Sequence, residues 1–441
     1  MATSLSIVGG RVIDPATRLD TLTDLHIANG KLVAIGSPPP NFAAEWQIEA
    51  KGQIVCPGLV DLSVRLREPG AEHKGTILSE TRAAANSGIT TLCCPPDTLP
   101  VIDTPAVAEL LQQRANNAGM TKVLPIAALT QGLRGEQLAE MGDLKEAGCI
   151  AVSNVQPIVN TEVLRYALAY AANCNLTVFL HPQDPWLGRR GCAHEGFIST
   201  RLGLAGIPEA TESIEVARNL LLIELTGVRA HFCRLSTARA LTLIKTAQAN
   251  GLPVTADVSA HHLYFTEHNL TEYNSQYHVI PPFRTLEDRQ ALRTSLIDGN
   301  LQAICSDHQP HEADAKLSPF ATTAPGISAV DSLLPLVLQL ANELSCDLLT
   351  ALSWVTLQPA RILGIPAGAL TIGNPADICI FNPDLHWTLT KENIHSLGAN
   401  SPFLGWKLKG HVTHTLINGR VVYSYCEPKK TLTDSLSNLA E

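Results

Sequence analysis

The sequence predicts an α/β protein, a (β/α)8 barrel carrying a small β-sandwich built from both chain ends. Three observations point there. Between residues 58 and 367, eight short apolar runs alternate with segments of helical period, the pattern of parallel strands with helical crossovers. Residues 1–57 and 368–426 instead read as short strands broken by turn residues, and two such pieces complete one unit if the middle folds by itself. The 441 residues, 45% hydrophobic and 17% charged, supply enough apolar material for a large barrel with an appendage. Residues 427–441 read as a tail.

In chain order, LSIVGGRVID, DLHIANGKLVAIG and EWQIEAKGQIVCPG give the first strands, with Gly9-Gly10 and Asn29-Gly30 as turns. The barrel strands follow at 59–64, 89–94, 123–129, 149–153, 176–180, 229–233, 253–258 and 301–305. Helices are expected at 77–86, 105–117, 135–147, 161–172, 209–226, 237–250, 287–299, 329–344 and 347–355. GALTIGNPADICIFNP and GHVTHTLINGRVVYS return to strand pattern. In such a barrel a binding site lies at the C-terminal strand ends.

A net charge of −9 argues against nucleic acid or an anionic membrane surface as partner. No apolar run reaches the roughly 20 residues of a membrane span, and the N-terminus lacks a signal-peptide pattern. Eleven scattered cysteines without a C-x-x-C read as reduced and mostly buried, which with the missing leader predicts a cytoplasmic protein.

The stretch Ile54–Gly70, IVCPGLVDLSVRLREPG, is the most specific. It resembles the first barrel strand of the dihydroorotases, of the amidohydrolase superfamily, where the segment reads PGLVDxHxHxREPG. The segments HHL, PPFR, SDHxPH and PGIS extend the resemblance over nearly the whole chain, and it implies a TIM-like barrel. Active members hold two bridged divalent metals that acidify a water and polarise the substrate amide. The resemblance places their ligands, residue by residue, at six positions here. Ser63 and Arg65 stand for two histidines, Asn154 for a bridging aspartate, and Arg234 for another histidine, while His181 and Asp307 are kept. A guanidinium stays protonated and cannot ligate. At about 4 Å and an effective dielectric near 20, each unit-charge pair costs on the order of 4 kcal/mol, and the metal carries two charges. The expectation is therefore no metal, no cofactor and no catalytic residue, with Arg65 and Arg234 filling the metal space and neutralising Asp307. His261, His262, His308 and His311 also occur in metal-binding members, so they are not read as replacement ligands.

The resemblance also places a substrate-carboxylate contact at Arg67, with an asparagine changed to Asp97 and another to Ile280. Asp97 is expected to pair with Arg67. The loop 312–325 resembles the family's substrate loop. Chains of this kind resemble the non-catalytic dihydroorotase-like subunit of certain bacterial aspartate transcarbamoylases. That implies the transcarbamoylase catalytic chain as partner, in a complex of six plus six, and a role in pyrimidine biosynthesis. The sequence does not place the docking surface; the loop 184–195, with Trp186 and Arg189-Arg190, is one candidate for it and reads equally as a plain surface loop or a collapsed substrate lid. Two other readings stand beside this one: a working cyclic amidohydrolase with an atypical metal site, and a small-anion sensor using Arg65, Arg67 and Arg234.

Overall fold

The computed structural model describes residues 4–425; the expected tail at 427–441 lies outside them. Eight parallel strands form the barrel: Leu59–Asp61, Ile89–Cys94, Lys122–Ala128, Ala151–Ser153, Thr177–Leu180, Ala230–Phe232, Val254–Ser259 and Ala303–Cys305, hydrogen-bonded in chain order. A bridge between Val64 and His308 joins the first strand's extension to the last, with the His308 amide donating to Ser63 O and the Arg65 amide to His308 O.

Side chains alternate along each strand, so one set faces the lumen and the other the helices. Val60, Cys93, Ile126, Ala151, Phe179, Ala303 and Cys305 belong to one apolar cluster that fills the lumen, so the barrel is packed. Ala360 and Leu363 join it from helix Leu357–Leu363, which the strand-and-helix pattern did not suggest. The alternate set, including Leu92, Cys94, Ala127, Val178 and Ile304, packs into the larger layer beneath the helices.

Most expected helices occur within a residue or two of their expected ends, as at Ile77–Asn86 and Thr161–Asn173. The helix expected over 135–147 is cut to Met141–Glu146. Gly132 and Gly135 take left-handed backbone, and the segment before the helix is committed to a bridge between Thr130 and Leu138. Helix Leu333–Glu343 is preceded by a 3-10 turn at Val330–Ser332.

The chain ends meet in one eight-stranded mixed sheet. Strands Ile378–Thr388, Lys407–Ile417 and Arg420–Ser424 continue through Ile54–Pro57 into Ser4–Asp14, Leu19–Ala28 and Lys31–Ile35, with Trp46–Glu49 alongside. Leu5, Ile7, Leu25, Ile48, Val55, Ile378, Ile380 and Leu416 share its core, which shows the two ends closing one unit. Chain passage from this sheet to the barrel is set by Pro57-Gly58, where a Cβ on Gly58 would run into the Thr90 side chain. Ten cysteines among the described residues are free thiols, eight of them buried. No helix among the described residues is long and apolar enough to cross a membrane.

Candidate functional site

The C-terminal strand ends converge on Asp307, whose side chain is only 2% exposed. Three elements bring donors to its Oδ1. Arg234, just past the sixth strand, donates from Nη1 at 2.9 Å; Ser63 Oγ donates at 3.3 Å; Arg65 Nη1 lies further off at 3.5 Å. Gln309 Nε2 spans both carboxylate oxygens at 3.1 Å. Ser63 and Arg65 reach the same centre because they are two residues apart and so lie on one face of the extended chain.

Arg234 is set by its neighbours. Its backbone is left-handed, at φ 56°, an uncommon conformation for a residue with a Cβ. Its amide donates to Asp257 Oδ1 at 2.5 Å, and the other Asp257 oxygen accepts from His231 Nε2 at 3.0 Å. This anchor turns the side chain inward, where Nη2 meets His181 Nδ1 at 2.7 Å. Burial, together with the Arg234 charge, holds His181 well below the usual imidazole range. A neutral His181 accepts that hydrogen bond. One guanidinium therefore spans His181 and Asp307, with Arg65 as second cation; both arginines meet Asp307 as expected, and the bond to His181 was not foreseen.

The expected pairing of Asp97 with Arg67 is not found. Asp97 Oδ2 instead accepts from Arg65 Nε at 2.7 Å. Burial raises the Asp97 carboxyl, but the Arg65 charge and hydrogen bond outweigh it and bring it below its ordinary value. Arg67 has left-handed backbone, φ 64°, which carries its side chain to the loop after the eighth strand. There Nε donates to Pro310 O at 3.0 Å, and Nη2 lies 3.1 Å from His311 Nε2, which itself donates to Pro325 O at 3.0 Å while Lys74 Nζ donates to Nδ1. Desolvation, with Arg65 nearby, pushes Arg67 down to about 10. Arg65 thus joins two carboxylates, Asp97 and Asp307, while Arg67 is held by the Pro310 carbonyl beside a neutral His311.

Asn154 turns away from the centre. Its Oδ1 accepts from Thr130 Oγ1 at 2.6 Å, and Nδ2 donates to the carbonyls of Leu133 and Gln156 at 3.3 and 3.1 Å. The other histidines are also engaged or enclosed. His308 Nε2 pairs with buried Glu80 at 2.8 Å, and His262 Nδ1 with Ser259 Oγ at 2.6 Å. His261 is buried with neither ring nitrogen bonded.

These residues do not fit a bridged pair of divalent ions. One ligand atom of each retained position, His181 Nδ1 and Asp307 Oδ1, is taken by Arg234, and Arg65 adds a second fixed positive charge. Among the described residues one other group of potential ligand atoms is close enough for a metal, His231, Cys233 and Asp257. There the imidazole already bonds Thr255 and Asp257, and burial drives the Cys233 thiol far up, disfavouring the thiolate a metal needs.

In front of this cluster is a cavity of about 300 Å3, walled by Arg65, His181, Arg234 and the expected pocket residue Ile280. Two further wall residues carry charge and were not singled out from sequence. Arg284, the last residue of PPFR, donates to Ser236 Oγ and Ile207 O at 3.1 and 2.7 Å. Glu212 is held by the amides and hydroxyls of Ser236 and Thr237. The PPFR match marked Arg284 as framework only, and Glu212 lies inside a helix pattern that reads as surface. The loop 312–325 forms 3-10 turns at Ala313–Lys316 and Phe320–Thr322, and buried Lys316 donates to the Ala324 carbonyl at 2.7 Å. In the loop 184–195, Trp186 is 65% exposed and Arg189 lies 5.4 Å from its ring centroid.

A family model described as dihydro-orotase-like matches residues 52–240, and an amidohydrolase family model matches 201–423. A Pseudomonas aeruginosa protein named dihydroorotase-like protein is 51% identical over 421 residues, covering 95% of this chain and 99% of its own. A Syntrophotalea carbinolica protein named dihydroorotase is 40% identical over 95% of this chain and 98% of its own. Among solved structures, the L-hydantoinase of Arthrobacter aurescens superposes with a TM-score of 0.86 at 22% identity, covering 97% of both chains. The dihydropyrimidinase of Brevibacillus agri gives 0.82 at 20% identity, covering 96% of this chain and 95% of its own. At these identities the superpositions establish the fold.

Proposed function

Because the chain belongs to the dihydroorotase-like family of amidohydrolases, we propose that it serves pyrimidine biosynthesis as a non-catalytic member, assembling and stabilising aspartate transcarbamoylase. The observation that carries the non-catalytic part is the Arg234 guanidinium bonded at once to His181 and Asp307. The family's chemistry needs a metal-activated water at that place. A fixed cation there neither ligates nor gives up a proton at neutral pH. What remains is a packed barrel.

The assembly part rests on the family resemblance and on the survival of the barrel framework around altered ligand positions. Co-expression with the aspartate transcarbamoylase catalytic chain of the same organism tests it. Light scattering is expected to find one large defined species containing both chains, with transcarbamoylase activity higher or longer-lived than without this chain. Separate elution with unchanged transcarbamoylase overturns the assembly role. Stoichiometric zinc with cyclic-imide hydrolysis would instead establish a working amidohydrolase with an atypical site.

A further inference from the structure

The residues that close the site to a cation make it attractive to an anion. Four guanidinium groups, from Arg65, Arg67, Arg234 and Arg284, face three carboxylates, from Asp97, Asp307 and Glu212, around the mouth of the barrel. The cavity wall itself carries Arg65, Arg234 and Arg284 with one carboxylate, Glu212, whereas Asp97, Asp257 and Asp307 lie off it. Asp307 lies behind the arginines that it pairs with. His181, held neutral, contributes no charge. Only Asp307, 2% exposed, is screened by its arginines, since Asp97 at 28% is more exposed than Arg65 at 9%; the concave wall focuses positive potential because it bears three guanidinium groups and a single carboxylate.

Not every N–H on this wall is used. Arg65 is engaged through Nε and Nη1, and Arg284 through Nε and Nη1. Each Nη2 carries no bond among the described residues. The rest of the wall is apolar at Ile207, Ile280 and Pro281. The volume equals about ten waters' share of liquid, enough for a small organic acid of roughly that many non-hydrogen atoms.

We propose that this cavity is a binding site for a small anion with an oxyanion head, carboxylate or phosphate, held by Arg65, Arg234 and Arg284 where a metal centre would otherwise stand. Planar guanidinium groups match both heads. Arg67, named from the sequence as part of an anion pocket, is not on this wall; Arg284 takes its place. The inference does not depend on the assembly role, since it concerns the isolated full-length chain.

The test is thermal unfolding of the full-length chain at constant ionic strength with benzoate, inorganic phosphate and the neutral isostere benzamide. Benzoate is expected to raise Tm saturably by about 2 °C or more, and benzamide to leave it unchanged. Stabilisation by phosphate as well assigns the site to the oxyanion head alone; stabilisation by benzoate only assigns it to a carboxylate with an apolar body. Arg284→Met is expected to weaken the apparent affinity at least about tenfold. If that variant does not fold, Gln183→Trp serves, because Gln183 lines the cavity and takes part in no guanidinium bond. No saturable shift with either anion overturns the proposal. So does an equal shift with benzamide, or undiminished binding in Gln183→Trp.

Discussion

Arg234 and Asp307 meet at 2.9 Å from the ends of the sixth and eighth barrel strands, both on left-handed backbone, φ 56° and 47°. Two side-chain-bearing residues in that conformation, aimed at one another, mark a place where the surrounding structure dictates the backbone. Asp257 supplies that constraint for Arg234, and Asp61 on the neighbouring backbone of Ser306 supplies it for Asp307. The frame that would present ligands to an ion presents an ion pair.

Breaking the pair from one side leaves a buried charge uncompensated. Arg234→Met is expected to lower unfolding free energy by about 3–5 kcal/mol, read from urea denaturation midpoints. Adding Asp307→Asn to Arg234→Met should recover most of that loss, because the orphaned carboxylate is gone. A double variant no more stable than Arg234→Met would show that the loss comes from packing and not from charge.

Metal content follows from the same geometry. Protein purified without chelator is expected to hold less than about 0.1 equivalent of zinc by elemental analysis, with Tm unchanged by EDTA, since both retained ligand positions already bond a guanidinium. R234H alone should not recruit zinc, because Arg65 stays beside Asp307 and Ser63 and Asn154 offer no strong ligand. The combined S63H, R65H, N154D and R234H chain should bind it stoichiometrically. Zinc uptake by R234H alone would show that the remaining arginine does not block the site.

The barrel was legible because eight buried strands leave eight apolar runs, and a parallel sheet cannot be built without crossovers. The changed ligand positions were legible because Ser63, Arg65, Asn154 and Arg234 sit inside otherwise kept motifs. That Arg65 and Arg234 converge on Asp307 followed from the family resemblance, which places all three at one site, together with their opposite charges. The partner of Asp97 did not, because the choice between Arg65 and Arg67 turns on a backbone angle at Arg67 that no local pattern announces. Arg284 and Glu212 were missed for a related reason. Their partners, Ser236 and Thr237, lie tens of residues away, and only the closed barrel brings them together.

Buried histidines give the stability a definite pH dependence. Desolvation holds His261 and His311 down to about 3, and His194 and His278 to about 4. Each folded value lies below the unfolded 6.5, so between the two the unfolded chain binds more protons and stability falls as pH falls. Asp61, raised by burial to about 6, works in the opposite sense between about 4 and 6, as do Glu212, Glu215 and Glu267, also raised by burial; His181, His262, His411 and His414, lowered by burial, add to the four histidines. His261 is the clearest test because neither ring nitrogen is bonded. His261→Phe should be at least as stable as the parent at pH 7 and about 2 kcal/mol more stable, relative to that difference, at pH 5. Parallel pH profiles from denaturant titration would contradict this.

A partner chain is expected to dock on the loop 184–195. Trp186 lies on a loop joined to the start of helix Ala210–Thr226, where the Asp184 amide donates to Thr211 O at 2.7 Å and Thr211 Oγ1 to Leu187 O at 3.2 Å. The loop is therefore fixed to the barrel while its indole stays in solvent, with Arg189 beside the ring. An exposed large aromatic on an anchored loop loses little entropy when covered, and tryptophan and arginine dominate interface energetics. Trp186→Ala should leave Tm of the isolated chain within about 1 °C, since the side chain contributes little to the core. Its affinity for the transcarbamoylase catalytic chain should fall about 30-fold, the equivalent of about 2 kcal/mol, measured by titration with light-scattering detection. Unchanged affinity, with a complex still formed, places the docking surface elsewhere on the barrel and leaves the assembly role standing.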